Sequence, residues 1–455
     1  MIRTAAIGLA IGSIGVLAVL WSAGGGQAET LEEALTAAYS DNPTLRAQRA
    51  AQRAVDETVS QARAGWRPTV TLSAAASEKR SDTNRSSAVT TTPLSIGISV
   101  TQPLYRGGRT VNDTRQAEAN VLAARARLIA VEQQVLRDTV AAYVDVLRDQ
   151  ATVQLNQNNM AVLQRQLDAT RDRFEVGEVT RTDISQAEAR LSRARSDFIQ
   201  AEGTLEISRA NYANLVGHPP ENLERVPALT GLPRTQEEAL EGALARNPGL
   251  VAANSAEQAS DFAVRVVRGT LLPTVSLIGD LTHSEETAVS GLESDTATIT
   301  ARLSVPLYQS GAQHSKVRQL RQTNNQRRIE VEESRRAVIE DVTQAWERLN
   351  TATARIRSRA DQVAAAELAL DGVRQEAEVG SRTVLDVLDA EQEFLDARVA
   401  LVAVERDEYV AGFDLRAAVG RLTAQDLGLP VEIYDPTDYY RAVRNKLIGT
   451  SVDSQ

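Results

Sequence analysis

The second half of this chain repeats the first. Thr30-Leu-Glu-Glu-Ala-Leu35 returns as Thr235-Gln-Glu-Glu-Ala-Leu240, an offset of 235 − 30 = 205. Asn42-Pro43 recurs as Asn247-Pro248 and Pro68-Thr69-Val70 as Pro273-Thr274-Val275, both at the same offset. Pro103-Leu104-Tyr105 then recurs as Pro306-Leu307-Tyr308, Glu175-Val176-Gly177 as Glu378-Val379-Gly380, and Val216-Gly217 as Val419-Gly420. These three share an offset of 306 − 103 = 203. Order is kept and the offset drifts by two residues, so a unit near 200 residues has been duplicated in tandem. Such a unit is far longer than the roughly 20–50 residues of a solenoid repeat. Any fold proposed for one half must therefore serve the other.

Each unit reads in the same order. A helix of roughly 35 residues comes first, over Thr30 to Ala64 and again over Thr235 to Arg268, from its helical period. Two strands follow, then a very long helix, a Gly-marked break and another long helix. Arg109 to Val176 contains no Gly or Pro, and as one helix it would be on the order of 100 Å long. Leu122, Ile129, Leu136 and Tyr143 recur every seven residues, as do Leu388, Leu395, Val402 and Tyr409. That spacing keeps a seam turned toward a partner helix, as in a coiled coil. An ordinary bundle core would show the same periodicity.

Four short segments alternate with period two. Val70, Leu72, Ala74 and Ala76 oppose Thr71, Ser73, Ala75 and Ser77; Leu94, Ile96, Ile98 and Val100 oppose Ser95, Gly97, Ser99 and Thr101. In the second unit Val275, Leu277, Gly279 and Leu281 oppose Ser276, Ile278, Asp280 and Thr282. Ala297, Ile299, Ala301, Leu303 and Val305 oppose Thr298, Thr300, Arg302 and Ser304. Apolar-out, polar-in alternation over about ten residues is what a transmembrane barrel strand requires, although a half-buried sheet of a water-soluble domain alternates too. Polar loops join each pair (Glu78 to Thr92; Ser284 to Thr296), and Trp66, Tyr105 and Tyr308 sit just outside, where an interfacial aromatic belt belongs. A sheet facing lipid must close, because unpaired backbone groups cannot be left in hydrocarbon. Four strands are too few, since about eight is the practical minimum. Two chains would close around a side-chain-filled interior, and three would leave a lumen. Oligomerisation follows from the strand count.

The N-terminus gives the compartment. Arg3 precedes an apolar run from Ala5 to Leu20, and small residues from Ser22 lead to Gly26-Gln27-Ala28, an A-x-A-like cleavage site before Glu29. Residues 1–28 thus read as an export signal, with an uncleaved anchor as the alternative. The mature chain divides into a first repeat (29–230), a second repeat (231–430) and a tail (431–455) that either packs on the belt or is disordered. The chain has no cysteine, which removes thiolate catalysis, disulfides and Cys-ligated metal sites. Its net charge of -10 argues against a nucleic-acid partner. His218, His283 and His314 lack metal-spaced neighbours. No catalytic motif is present, so an enzyme is not expected and neither is a cofactor.

Taken together, these residues resemble the TolC family over essentially the whole mature chain. The resemblance lies in the duplication, the paired strands ending in Pro-Leu-Tyr, and the run Val379-Gly380-Ser381-Arg382-Thr383-Val384-Leu385-Asp386-Val387-Leu388-Asp389. It implies a homotrimer in outer-membrane lipid with a twelve-stranded β-barrel and a long α-helical barrel extending into the periplasm. It also implies a passive exit duct for efflux or type I secretion. The implied partners are a periplasmic adaptor and an inner-membrane transporter of RND or ABC type. In the family, the positions of Asp386 and Asp389 line the constricted periplasmic entrance. Those of Thr182, Asp183 and Arg382 supply polar links that hold it shut, and adaptors touch the tips around Val176-Gly177 and Val379-Gly380. The best-known members carry a tyrosine where this chain has Ala377, so that network is altered here.

Bland readings stand beside these. Asp386 and Asp389 stand three apart on one helix face, and threefold symmetry would gather six carboxylates, attracting cations and raising some pKa values. Yet Thr383 with Asp386, and Thr180 with Asp183, are also capping boxes. Asp389 corresponds to Gln186 in the first unit, so capping does not demand it. Arg382 lies four before Asp386 and could pair locally. The alternative function is a periplasmic adaptor-like coiled-coil scaffold; adaptors place one hairpin within nested β-domains, whereas this chain carries two equivalent units.

Overall fold

A computed structural model describes residues 28–84, 86–287 and 291–451; the proposed export signal lies outside them, save Ala28. The duplication is visible in three dimensions. Helices α1 (Leu31–Asp41) and α5 (Gln236–Arg246) have 11 residues each. Helices α2 (Pro43–Arg63) and α6 (Pro248–Gly269) have 21 and 22. The long helices α3 (Arg109–Glu175) and α7 (Ala312–Glu378) have 67 each, and α4 (Arg181–Val216) and α8 (Val384–Val419) have 36 each. At 1.5 Å per residue the long helices span about 100 Å.

The expected 35-residue opening helix is instead two helices in each half. The break falls at Asn42-Pro43 and at Asn247-Pro248. Proline cannot donate within a helix, and the residue before it is pushed out of helical conformation. Asn42 (ψ 122) and Asn247 (ψ 121) use that freedom to cap the second helix.

Strands β1 (Thr69–Ala76), β4 (Leu94–Arg106), β5 (Thr274–Glu285) and β6 (Glu293–Ser304) form one antiparallel sheet in the order β1-β4-β5-β6. The expected polar loop between the first pair contains a hairpin of its own, β2 (Lys79–Thr83) with β3 (Ser86–Thr91). The loop between the second pair is shorter than expected, because pairing continues to Glu285↔Glu293. Register places Leu72, Ile98, Leu281 and Ala297 in one row on one face, and Ser73, Gly97, Thr282 and Thr296 in the next row on the other. The polar face carries a Ser99 hydroxyl that donates to Asp280 at 2.7 Å. The apolar face is uncovered within the protomer, with Leu72 70% and Ile299 82% exposed. Burying such a face is worth about 25 cal/mol per Å², so lipid is its natural medium. It ends in polar pairs, His283 with Asp295 (2.7 Å) and Glu285 opposite Glu293, where headgroups would begin. At the other end Trp66, Tyr105 and Tyr308 are exposed.

Below the sheet, α3 packs against α2 and α4 on one side and against α6 and α8 on the other, whereas α7 packs chiefly, among the described residues, against α5, α6 and α8. Burial records the difference: 24 residues of α3 are buried, against 8 of α7. The seven-residue seam buries only partly. Leu136 and Tyr143 are fully enclosed, while Leu122 and Ile129 are exposed and Val121 and Leu128 take their places inside. A straight α-helix drifts about 20° per heptad, so a strict seven-residue stripe leaves the contact face. Midway along α3, a belt gathers around Leu136 and Tyr143: Leu31 and Leu35 of α1, Tyr212 near the end of α4, Phe413 near the end of α8, and Leu422 with Ala424 of α9 (Ala424–Leu427). The tail packs on α2 through α10 (Asp438–Val443). Tyr434 donates to Gln52 (3.0 Å), Tyr439 to Glu57 (2.8 Å) and Arg444 to Glu118 (2.9 Å).

No described helix is long and apolar enough to cross a membrane.

Candidate functional site

At the end remote from the sheet, α3 turns into α4 and α7 into α8 through two matching turns. Gly177 (φ +83°) donates to Phe174 O at 3.0 Å, and Gly380 (φ +79°) donates to Ala377 O at 3.2 Å. Glu178 and Ser381 each donate to a carbonyl five residues back, both at 2.9 Å. Each turn needs a left-handed residue, which glycine adopts without penalty. Beyond the adjacent residues, no atom lies within 4 Å of where a Cβ would stand on either glycine, so the backbone angle is what selects it. The turns present Val176 and Val379, 73% and 81% exposed. Apolar side chains held in water at two exposed tips suit contact with another protein.

Thr180 and Thr383 then cap α4 and α8. The Thr383 N–H and hydroxyl both donate to Asp386 Oδ2 (2.9 and 2.8 Å), and the Asp386 N–H donates to Thr383 Oγ1 (3.2 Å). Thr180 does the same toward Asp183, at 2.7 Å for each donor. Backbone and hydroxyl donors stabilise the charged form, holding both carboxyls below the ordinary aspartate range. In a single protomer, then, both capping readings are realised, and Asp386 is pulled toward ionisation. Thr182 is exposed in the first turn of α4. Arg382 donates through Nε to Glu376 at 2.7 Å. The structure thus brings Asp386 and Asp389 into the first two turns of α8, while Arg382 and Asp183 each bond a residue of their own hairpin.

Asp389 has a partner that sequence reasoning passed over. Arg190 of α4 donates to Asp389 Oδ1 across the gap between the two hairpins. Beneath the pair, Ala187, Leu191, Leu163 and Leu167 of the first hairpin enclose Val384 and Leu388 of the second. A signal was available in the repeat. Gln186 maps to Asp389 and Arg190 to Glu393 at the offset of 203, so the duplicated positions have diverged in charge. By contrast, Arg171–Glu188 (2.7 Å) and Arg374–Glu391 are duplicates of each other, each closing its own hairpin. Among the described residues no group of His, Asp or Glu is arranged to hold a metal ion.

Known proteins share the fold and its duplication. The family model described as "Outer membrane efflux protein" matches residues 34–218 and 239–421, one match to each repeat. The chain is 37% identical to the outer membrane efflux protein BepC of Brucella suis over 92% of each chain. It is 29% identical to the outer membrane protein TolC of Vibrio cholerae, over 88% of this chain and 92% of that one. Among solved structures, the Campylobacter jejuni CmeC outer membrane channel superposes with a TM-score of 0.80 at 15% identity, covering 97% of this chain and 98% of that one.

Proposed function

Taking as premise that the chain belongs to the outer membrane efflux protein family, and so is an outer-membrane channel of efflux or secretion, we propose that three copies close into one duct. The observation that carries this reading is the pair of unmatched edges. Among the described residues, β6 and α7 form one edge of the protomer and β1, α2 and α4 the other, each packed on one flank and open on the opposite one. Helix α4 exposes Ile199 and Ile207, and α7 exposes Ile329 and Leu368. Two different edges meeting head-to-tail generate a ring when the rotation closes. Three protomers bring twelve strands together, enough for a lumen lined by the Ser, Thr and Asp face.

In this reading the Val176-Gly177 and Val379-Gly380 tips receive a periplasmic adaptor, which couples the duct to an inner-membrane transporter of RND or ABC type. Asp386 and Asp389 line the entrance those tips surround, and Thr182, Asp183 and Arg382 belong to its closing surface. The protein supplies a passage, and the transporter supplies energy and chooses cargo.

Two measurements test this. The detergent-extracted protein should run at the mass of three chains and resist urea extraction from outer membranes; a urea-soluble monomer would favour an adaptor-like scaffold instead. In planar bilayers, Asp386→Ala/Asp389→Ala should weaken cation preference and block by divalent cations. Unchanged selectivity would remove both residues from the pore.

A further inference from the structure

We propose that Arg190 is the clasp of the closed entrance, tying the two helical hairpins of a protomer together through Asp389 and cancelling that carboxylate's charge toward the lumen. The inference rests on the reading above that Asp389 faces the entrance. Three observations carry it. First, of the ion pairs near the tips among the described residues, Arg173–Glu178, Arg171–Glu188, Arg382–Glu376 and Arg374–Glu391 stay inside their own hairpins, and Arg190–Asp389 joins the two. Second, the residues that the family resemblance nominates for cross-links are engaged elsewhere, Arg382 with Glu376 and Asp183 with Thr180. Third, the pair is held in register from below. Arg190 precedes Leu191 and Asp389 follows Leu388, two residues of one apolar contact, so the charged side chains emerge at its rim. Their side chains are 28% and 57% exposed, leaving Asp389 the more open to solvent.

The charge arithmetic bears on selectivity. Two carboxylates per protomer would give a ring of −6 in a trimer, and three Arg190 guanidinium groups reduce it to −3. Arginine suits this role because it stays charged and presents several donors in a fixed plane. An entrance so compensated discriminates less against anionic and zwitterionic solutes than a bare acidic ring. The charges of Asp386 remain, each already satisfied by the Thr383 cap. Opening, on this account, requires the three clasps to release before the hairpins can separate.

The test uses the full-length assembled protein in planar bilayers, with conductance and reversal potential measured across a salt gradient. Arg190→Gln should raise conductance and increase the cation-over-anion permeability ratio roughly three- to tenfold, the range expected for three partly screened charges near one axis. Arg190→Lys should stay close to wild type in both. The charge-swapped pair Arg190→Asp/Asp389→Arg should return conductance to the wild-type level, whereas the neutral pair Arg190→Gln/Asp389→Asn, which has the same net charge and no clasp, should keep it raised. Wild-type conductance and selectivity in Arg190→Gln, or a swap that fails to restore closure, overturns the proposal. The underlying reading fails separately: if Asp386→Ala/Asp389→Ala leaves selectivity unchanged, Asp389 is not at the entrance. If that variant changes selectivity and Arg190→Gln does not, only the clasp falls.

Discussion

Replacing Asn42 by alanine removes three hydrogen bonds at the joint between α1 and α2. Its Oδ1 accepts from Thr44 N (2.9 Å) and Leu45 N (3.4 Å), and its Nδ2 donates to Leu215 O (3.0 Å) at the end of α4. The residue is 4% exposed, so water cannot easily substitute. Losing the helix cap costs about 1 kcal/mol, and leaving the Leu215 carbonyl without its donor costs about 1–2 kcal/mol more. The sum, about 2–3 kcal/mol, corresponds to roughly 30- to 150-fold faster opening of this joint. Hydrogen exchange read on peptides covering the start of α2 and the end of α4 measures it directly. Asn42→Ser keeps an acceptor for the cap but cannot reach Leu215, so it should fall between wild type and alanine. The duplicated joint offers an internal control: Asn247 accepts from Gly249 N (2.9 Å) and Leu250 N (3.3 Å) and donates to Ala418 O (3.2 Å). Asn247→Ala should therefore accelerate exchange at the start of α6 by a similar factor. Exchange within about threefold of wild type in both alanine variants, a difference under 0.7 kcal/mol, would refute the assigned energies.

Two further outcomes follow from the packing. Gly107 (φ +64°) meets the end of α6 so closely that a Cβ would stand 2.3 Å from the Gly269 carbonyl oxygen. Gly107→Ala should thus cost more than the roughly 1–2 kcal/mol of a left-handed alanine alone and lower the yield of assembled oligomer from membranes. Asp56 lies under the tail beside Gln52, and burial pushes its carboxyl up to about 6, only partly offset by Arg125 and the Gln52 hydrogen bond. Because the folded pKa exceeds the unfolded one, its favourable contribution is complete below about pH 4 and is lost as pH rises through 6. The rise from 3.8 to about 6 corresponds to at most about 3 kcal/mol, and partial solvation reduces this to about 1–2 kcal/mol. The tail should therefore resist proteolysis better at pH 5 than at pH 7.5, and Asp56→Asn should abolish that difference.

Much of this was legible in the linear chain. The duplication forced matched helices, and α3 and α7, like α4 and α8, have equal lengths. Alternation named the four sheet strands, because side chains on a strand point to opposite faces whatever lies around them. The glycines and threonines of the tips announced their turns and caps, since those demands are met within five residues. Where local signals competed, reading failed: an uninterrupted apolar period concealed the Asn42-Pro43 joint, and a polar stretch read as loop formed the β2–β3 hairpin.

What the sequence settled alone was most of what neighbours along the chain decide: the long helices, the four sheet strands, their order, and an apolar sheet face too small to close on itself. Tertiary structure decided which duplicated helix sits in the middle. Helices α3 and α7 have the same length and similar periodicity, yet one is flanked on both sides and the other forms an edge. Tertiary structure also chose Arg190 for Asp389, residues 199 positions apart. The cause is the same in both cases. Contacts between distant segments depend on how packed helices are rotated and spaced in three dimensions, and an angle of a few tens of degrees decides whether a side chain finds solvent, lipid or an opposite charge.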